Sequence, residues 1–441
     1  LFFFHADAGI REFCLSRGLG DVYKRQILIK SAKIIDASSK FNGKTKDIFI
    51  NKGVIQEISD RIIKRSVMEI SIKNLHVSQG WLDTGVSFGE PGLEERETIE
   101  NGSRTACLSG FTDIILNSNT LPVIDSKSDI TYVKNKNKNS AVEIHPLGAL
   151  TLSSRGTELA ELWEMYQSGA VGFYDYKMSV RDPNLLKIAL QYVQHFNGLI
   201  MTFPFEKSIC NDGQVNEGEI STLYGLEGIP SLSEEIILER DLKILEYTGG
   251  KLFIPTISSS KSVELIRKAK LKGLKIITSV SINNLFFNEK KLINFDTRFK
   301  VLPPIRSEKD RIVLVKAVLD GTIDFVTSDH APIDIDNKKT DFKNSLFGAT
   351  GLESIFGALN SLYKTEEVID ILTRKKDFFG INSETIDEGS KASITLFNPK
   401  HKYTFSKHDV RSKSKNASFI NSEINGKVFG IINNGSVVID E

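Results

Sequence analysis

Residues 80–92 read G-W-L-D-T-G-V-S-F-G-E-P-G. A strand-like run, W-L-D-T-G-V, leads into a Glu-Pro-Gly turn, and the positions between carry only the small residues Gly85, Ser87 and Gly89. Downstream, short apolar runs alternate with amphipathic helical patterns. The runs include F-T-D-I-I-L (111–116), G-A-V-G-F-Y-D (169–175), G-L-I-M-T-F (198–203), K-L-F-I-P-T (251–256), K-I-I-T-S-V (275–280) and I-D-F-V-T-S-D (323–329). Between the fourth and fifth lies S-V-E-L-I-R-K-A-K-L-K (262–272), where Val263, Ile266 and Ala269 share one helical face. This alternation marks repeated βα units around a parallel sheet. The series is long enough for an eight-stranded barrel, whose chemistry would sit at the C-terminal ends of its strands. A doubly wound sheet satisfies the same texture.

The flanks differ from this middle. From Ile27 the text is β-rich, I-L-I-K-S-A-K-I-I-D and K-D-I-F-I-N-K-G-V-I-Q-E-I-S, broken at Asn42-Gly43 and Lys52-Gly53. The C-terminal end repeats it in A-S-I-T-L-F-N-P and G-K-V-F-G-I-I-N-N-G. We expect residues 27–78 and 385–441 to build one small β domain beside a unit spanning 79–384. Residues 1–26 show no sustained period and no signal-peptide layout; C-L-S-R-G-L-G-D-V-Y-K-R-Q resembles a translated adapter scar, and we expect a non-native leader there.

Across 441 residues, 40% hydrophobic and 26% charged, the net charge is +1, which argues against a broad nucleic-acid-binding surface. The basic runs near Lys134 and Arg411 lack interleaved aromatics and read as solvated surface. Cys14, Cys107 and Cys210 have no paired spacing, which points to a reducing, cytoplasmic setting. No run of about 18 apolar residues occurs, so no membrane span is expected.

Several motifs in fixed order carry a resemblance: E-P-G-L-E-E-R-E-T-I (90–99), S-G-F-T-D (109–113), N-S-N-T-L-P-V-I-D (117–125), G-L-E-G-I-P (225–230), F-K-V-L-P-P-I-R (299–306) and G-T-I-D-F-V-T-S-D-H-A-P (321–332). Together they resemble the dihydroorotases, cyclic amidohydrolases of pyrimidine biosynthesis, in particular the longer bacterial type related to allantoinase and hydantoinase. The resemblance implies a (β/α)8 barrel of the TIM type with a β-sandwich formed by the two chain ends. It also implies zinc, which makes water nucleophilic near neutral pH and polarises the scissile carbonyl.

The zinc ligands that the family supplies are absent. Where the family reads D-x-H-V-H-L-R-E-P-G, this chain has Gly85 and Ser87 for the histidines and Gly89 for the substrate-gripping arginine. The two later histidines fall at Pro204 and Thr256, and the frequent P-H-H-L is I-N-N-L with Asn283 and Asn284. The closing histidine of D-H-A-P-H is Ile333, and the usual asparagine before P-P-L-R is Leu302. Three site positions persist. Asp329 matches the catalytic aspartate, Asp175 stands where some members have a bridging aspartate, and Asn119 matches a substrate-binding asparagine, although it also reads as a turn residue before Pro122. Lys177 reads as a surface or loop lysine, since carbamylation serves only where metals stabilise it. The remaining histidines are scattered singles that form no replacement set.

We therefore expect no bound cofactor and a dihydroorotase-like protein without metal-dependent activity, retained as a structural or regulatory partner. Aspartate transcarbamoylase is the partner that the resemblance suggests; an active dihydroorotase and a homodimer are others, with no nucleic acid or membrane. A working cyclic amidohydrolase with a rearranged or metal-free centre stands as the alternative, and a pyrimidine sensor as a third reading.

Overall fold

The computed structural model describes residues 26–64 and 68–440. The expectation of a leader falls on residues outside these, except that Gln26 begins the first strand. In chain order the strands are β1 (Gln26–Ile34), β2 (Thr45–Asn51), β3 (Val54–Ser59), β4 (Met68–Ile70), β5 (His76–Gln79), β6 (Trp81–Val86), β7 (Phe111–Leu116), β8 (Glu143–Pro146) and β9 (Phe173–Tyr174). They continue with β10 (Ile200–Met201), β11 (Val215–Asn216), β12 (Gly228–Ile229), β13 (Leu252–Ile254), β14 (Ile276–Ser281), β15 (Phe325–Thr327), β16 (Ile394–Thr404), β17 (Glu423–Asn433) and β18 (Ser436–Ile439).

In the middle of the chain, β6-β7-β8 and β9-β10-β13-β14-β15 form two parallel groups. Single parallel bridges link them at both sides, Gly148 to Phe173 and Val86 to His330. The second link consists of Ser87 N–H to His330 O at 2.8 Å and His330 N–H to Gly85 O at 3.1 Å. β7 shows why these segments become strands: all six residues of F-T-D-I-I-L are buried, as in a parallel strand covered on both faces. Several strands are shorter than the apolar runs that announce them; 198–203 yields only Ile200–Met201. The helix Ser260–Leu271 starts at Ser259, whose hydroxyl accepts from Ser262 N–H at 3.0 Å, and buries Val263, Ile266 and Ala269 as the spacing predicts.

Both chain ends join in one β-rich unit, with the order β18-β17-β16-β5-β1-β2-β3 and β4 paired to β1. β5 is the seam, parallel to β1 and antiparallel to β16. The strands of this unit form one continuous, bent hydrogen-bonded sheet. The reason lies in β1, which carries an irregularity between Ile29 and Ala32, with Ser31 at φ 49°. Its first half pairs with β4 and its second half with β5, so one bent sheet encloses a core of Ile27, Ile29, Ile50, Val77, Leu396 and Ile432. Trp81, fully buried, links this unit to the parallel strands: its ring stacks on Phe356 at 4.8 Å and meets Phe397 of β16 at 5.6 Å. Cys107 and Cys210 are buried and unbridged; Cys14 lies outside the described residues. Among the described residues, no helix is long and apolar enough to cross a membrane.

Candidate functional site

The positions of interest gather just beyond the C-terminal ends of the parallel strands, where such folds keep their chemistry. Ser87 follows β6, Asn117 and Asn119 follow β7, Asp175 to Lys177 follow β9, Pro204 follows β10, Thr256 follows β13 and Asp329 follows β15. Three of them adopt left-handed backbone conformations: Lys177 at φ 52°, Thr256 at φ 53° and Asp329 at φ 48°. For a non-glycine residue this costs about 1–2 kcal/mol, and a β-branched threonine suits it least. Local bonds hold two of these bends, with Lys177 N–H donating to the Tyr174 phenol oxygen at 3.0 Å and Asp329 N–H donating to Thr327 Oγ1 at 3.1 Å.

The centre of the mouth is an ion pair. Lys177 Nζ lies 2.9 Å from both carboxylate oxygens of Asp329, and the Lys177 side chain is only 11% exposed. The Tyr176 ring centroid stands 5.3 Å from the same ammonium. Burial works against the Lys177 charge, but the neighbouring Asp329 carboxylate and Tyr176 oxygen outweigh it and lift the lysine above its ordinary pKa. Burial also raises Asp329, against the pull of Lys177. Lys177 does lie on a turn beyond β9, as a loop lysine would, but its side chain is turned in to Asp329 and is not at the surface. The signal that would have found it is a lysine two residues beyond Asp175 in a chain without histidine at 85, 87, 204 and 256.

Asp175 does not join Asp329. Its Oδ1 accepts from Leu150 N–H at 2.9 Å and Thr151 N–H at 3.0 Å, and its Oδ2 accepts from Thr151 Oγ1 at 2.6 Å. The carboxylate therefore braces the loop after β8. Asn119 is half-buried, and its Oδ1 is buried without a hydrogen-bond partner. Thr256 Oγ1 and Asn284 Oδ1 are likewise unpartnered, whereas Ser87 Oγ accepts from Asn117 Nδ2 at 3.1 Å. His330, next to Asp329, is buried and neutral, its pKa pushed down to about 4 by burial, and its Nδ1 accepts from Gly351 N–H at 3.2 Å.

The motif residues that persist have structural work. Asp83 is buried and accepts from Thr327 Oγ1 at 2.5 Å, Gly85 N–H at 3.1 Å and Ser328 N–H at 3.1 Å, which ties β6 to the end of β15. Glu90 accepts from Ile99 N–H at 2.9 Å and from Tyr132 Oη at 2.8 Å. Glu97, fully buried, accepts from Lys413 N–H at 2.8 Å and Asn101 Nδ2 at 2.9 Å. At two of the replaced positions the space for a side chain is already taken. A Cβ on Gly89 would stand 1.7 Å from the Leu93 carbonyl oxygen, and one on Gly85 would stand 2.8 Å from Thr327 Oγ1.

Zinc does not fit this donor set. Of the four inherited histidine positions, Gly85 and Pro204 offer no donor atom, and Ser87 and Thr256 offer neutral hydroxyls, which are poor zinc ligands. Asp329 already faces an ammonium, and both oxygens of Asp175 are engaged by the loop it braces. Among the described residues, no three His, Cys, Asp or Glu side chains gather in a way that could hold a metal ion.

Parallel strands with their chemical positions at one mouth, joined to a β unit made from both chain ends, define the architecture of the cyclic amidohydrolases. L-hydantoinase (dihydropyrimidinase) from Arthrobacter aurescens shares this fold with a TM-score of 0.81 at 20% identity, over 94% of this chain and 96% of its own. The chain belongs to the dihydroorotase family. It is 34% identical to dihydroorotase from Caldanaerobacter subterraneus subsp. tengcongensis over 93% of this chain and 97% of the relative. With dihydroorotase from Acetivibrio thermocellus the identity is 33%, over 94% and 99%. A family model described as Dihydro-orotase-like matches residues 76–262.

Proposed function

We propose that this chain is a dihydroorotase-family protein without metal-dependent turnover, acting as a structural or regulatory partner in pyrimidine biosynthesis. The observation that carries the reading is the Lys177–Asp329 pair: the family's proton-moving carboxylate is engaged by a buried ammonium 2.9 Å away. Opening a cyclic amide needs an activated water and a counter-charge for the developing oxyanion, and the second requirement alone is worth several kcal/mol. Asp329 cannot supply both, and the substrate-gripping arginine is replaced by Gly89, whose surroundings leave no room for a side chain. The eight parallel strands, joined through the Gly148–Phe173 and Val86–His330 bridges, are read here as a closed (β/α)8 barrel that serves as a rigid scaffold. The family resemblance names aspartate transcarbamoylase as the partner to test first.

A second reading, a working dihydroorotase, draws support from the relatives of that name at 33–34% identity over almost the whole chain. Asp329 would then be the general base, released from Lys177 when substrate enters. One experiment separates the two: dihydroorotate hydrolysis and its reverse are measured for the wild type and for Asp329→Asn. The scaffold reading expects no turnover above the uncatalysed rate in either protein, with binding to aspartate transcarbamoylase unaffected by the substitution. A wild-type rate that collapses in Asp329→Asn would establish the second reading.

A further inference from the structure

We propose that the Lys177 ammonium is this protein's built-in replacement for a metal ion, a fixed cation that balances Asp329 and ties the ends of β9 and β15 together across the mouth. The inference deepens the reading of a metal-free scaffold, but it concerns what holds the mouth together and not whether the mouth turns over.

Besides Asp175, whose oxygens the loop at Leu150 engages, two buried carboxylates lie beneath the mouth, Asp83 and Asp329, and Asp83 adds to the burden on Asp329 by like-charge repulsion. A buried carboxylate that keeps its charge needs hydrogen-bond donors or a neighbouring cation; Asp83 has the donors, and among the described residues no hydrogen bond other than that of Lys177 is seen on the Asp329 carboxylate. With neutral or donor-free residues at 85, 87, 204 and 256, the cation must come from the chain, and Lys177 reaches both oxygens of Asp329 at 2.9 Å.

Lys177 and Asp329 both stand in the left-handed region, on turns directly beyond two parallel strands, and 152 residues separate them in sequence. Two strained bends that aim their side chains at each other persist only where the surroundings over-determine them. Here the Tyr174 hydroxyl fixes one bend and the Thr327 hydroxyl the other. A divalent ion placed on Asp329 would meet the Lys177 ammonium at ion-pair distance, so the two cations compete for one place.

The experiment uses the full chain in three parts. First, thermal midpoints are recorded with and without EDTA, alongside metal content; the expected result is an unchanged midpoint and no stoichiometric metal. Second, Lys177→Met is compared with Lys177→Met/Asp329→Asn. Removing one member of a buried pair should lower the midpoint by about 5 °C, and neutralising both should recover most of that loss. Third, lysine acetylation is followed by mass spectrometry. Lys177 should react at least roughly tenfold more slowly than Lys272, whose side chain is 57% exposed, and Asp329→Asn should accelerate it. If Lys177→Met does not fold, the labelling of the wild type and of Asp329→Asn still decides. A midpoint that falls on chelation with release of about one metal per chain overturns the proposal, as does acetylation of Lys177 at the Lys272 rate. Detection of dihydroorotase turnover would overturn the scaffold reading and leave this inference standing, since none of its three readouts depends on turnover.

Discussion

Replacing Gly89 by alanine tests whether the arginine position of the family is physically closed. The added Cβ would lie 1.7 Å from the Leu93 carbonyl oxygen, 2.6 Å from its carbon and 3.1 Å from the Glu97 carbonyl oxygen. All three atoms are backbone, so no side-chain rotation relieves the overlap, and the turn must open by more than 1 Å, roughly the gap to an ordinary contact. Opening it strains two bonds, Leu93 N–H to Gly89 O and Gly89 N–H to Glu97 O, each 2.9 Å long. At about 0.5–1.5 kcal/mol per bond, with about 1–3 kcal/mol for overpacking, the expected destabilisation is about 3 kcal/mol. Urea unfolding followed by tryptophan fluorescence measures it, because Trp81 is fully buried. Gly218→Ala is the control, since its Cβ would meet nothing closer than 3.4 Å. A Gly89→Ala variant within about 0.5 kcal/mol of the wild type would refute the reasoning and reopen the position to an arginine.

Three further outcomes follow from the same geometry. Gly85→His/Ser87→His should bind no zinc stoichiometrically by elemental analysis and show no turnover, because Pro204 and Thr256 leave the cluster incomplete and Thr327 Oγ1 fills the space above Gly85. Asp175→Ala should lower stability by about 3 kcal/mol in the same urea assay, since it strands buried backbone N–H groups, while labelling of Lys177 stays unchanged. Lys338, pushed down to about 7 by burial, donates only to the carbonyls of Lys300 and Leu346. Its unfolded form keeps the proton up to about pH 10.4, so stability should rise with pH from about 7 by up to ~1.4 kcal/mol per unit. Subtracting the unfolding profile of Lys338→Met from that of the wild type should isolate this slope, and its absence would show that Lys338 is not desolvated.

The scaffold was legible because its demands are local. F-T-D-I-I-L announces a doubly covered strand, Val263, Ile266 and Ala269 announce one helical face, and Asp83, Glu90 and Glu97 keep their places because each satisfies backbone N–H groups. What the text concealed was direction. Asp175 sits in a readable motif, yet it lies just beyond β9, where strand alternation no longer sets direction, and its carboxylate braces the loop at Leu150 while Tyr176 turns to Lys177. Lys177 lies on a loop as its sequence reads, but no local pattern reports that it and a residue 152 positions away share one mouth. The bent sheet was hidden as well, since a single irregularity at Ser31 re-aims β1 in a way that alternation alone does not announce.

The seam at β5 bears on how a ribosome must deliver this chain. His76 to Gln79 pair with Ile394 to Phe397, roughly 320 residues later. At about 5–20 residues per second, the edge of β5 is made some 16–64 s before its partner strand exists. During that interval an unfinished sheet offers open hydrogen-bonding groups to any passing strand, as edges do. Synthesis at high expression should therefore favour aggregates seeded by nascent chains, and slowing initiation or supplying a nascent-chain chaperone should raise the soluble yield more than any substitution in the mouth.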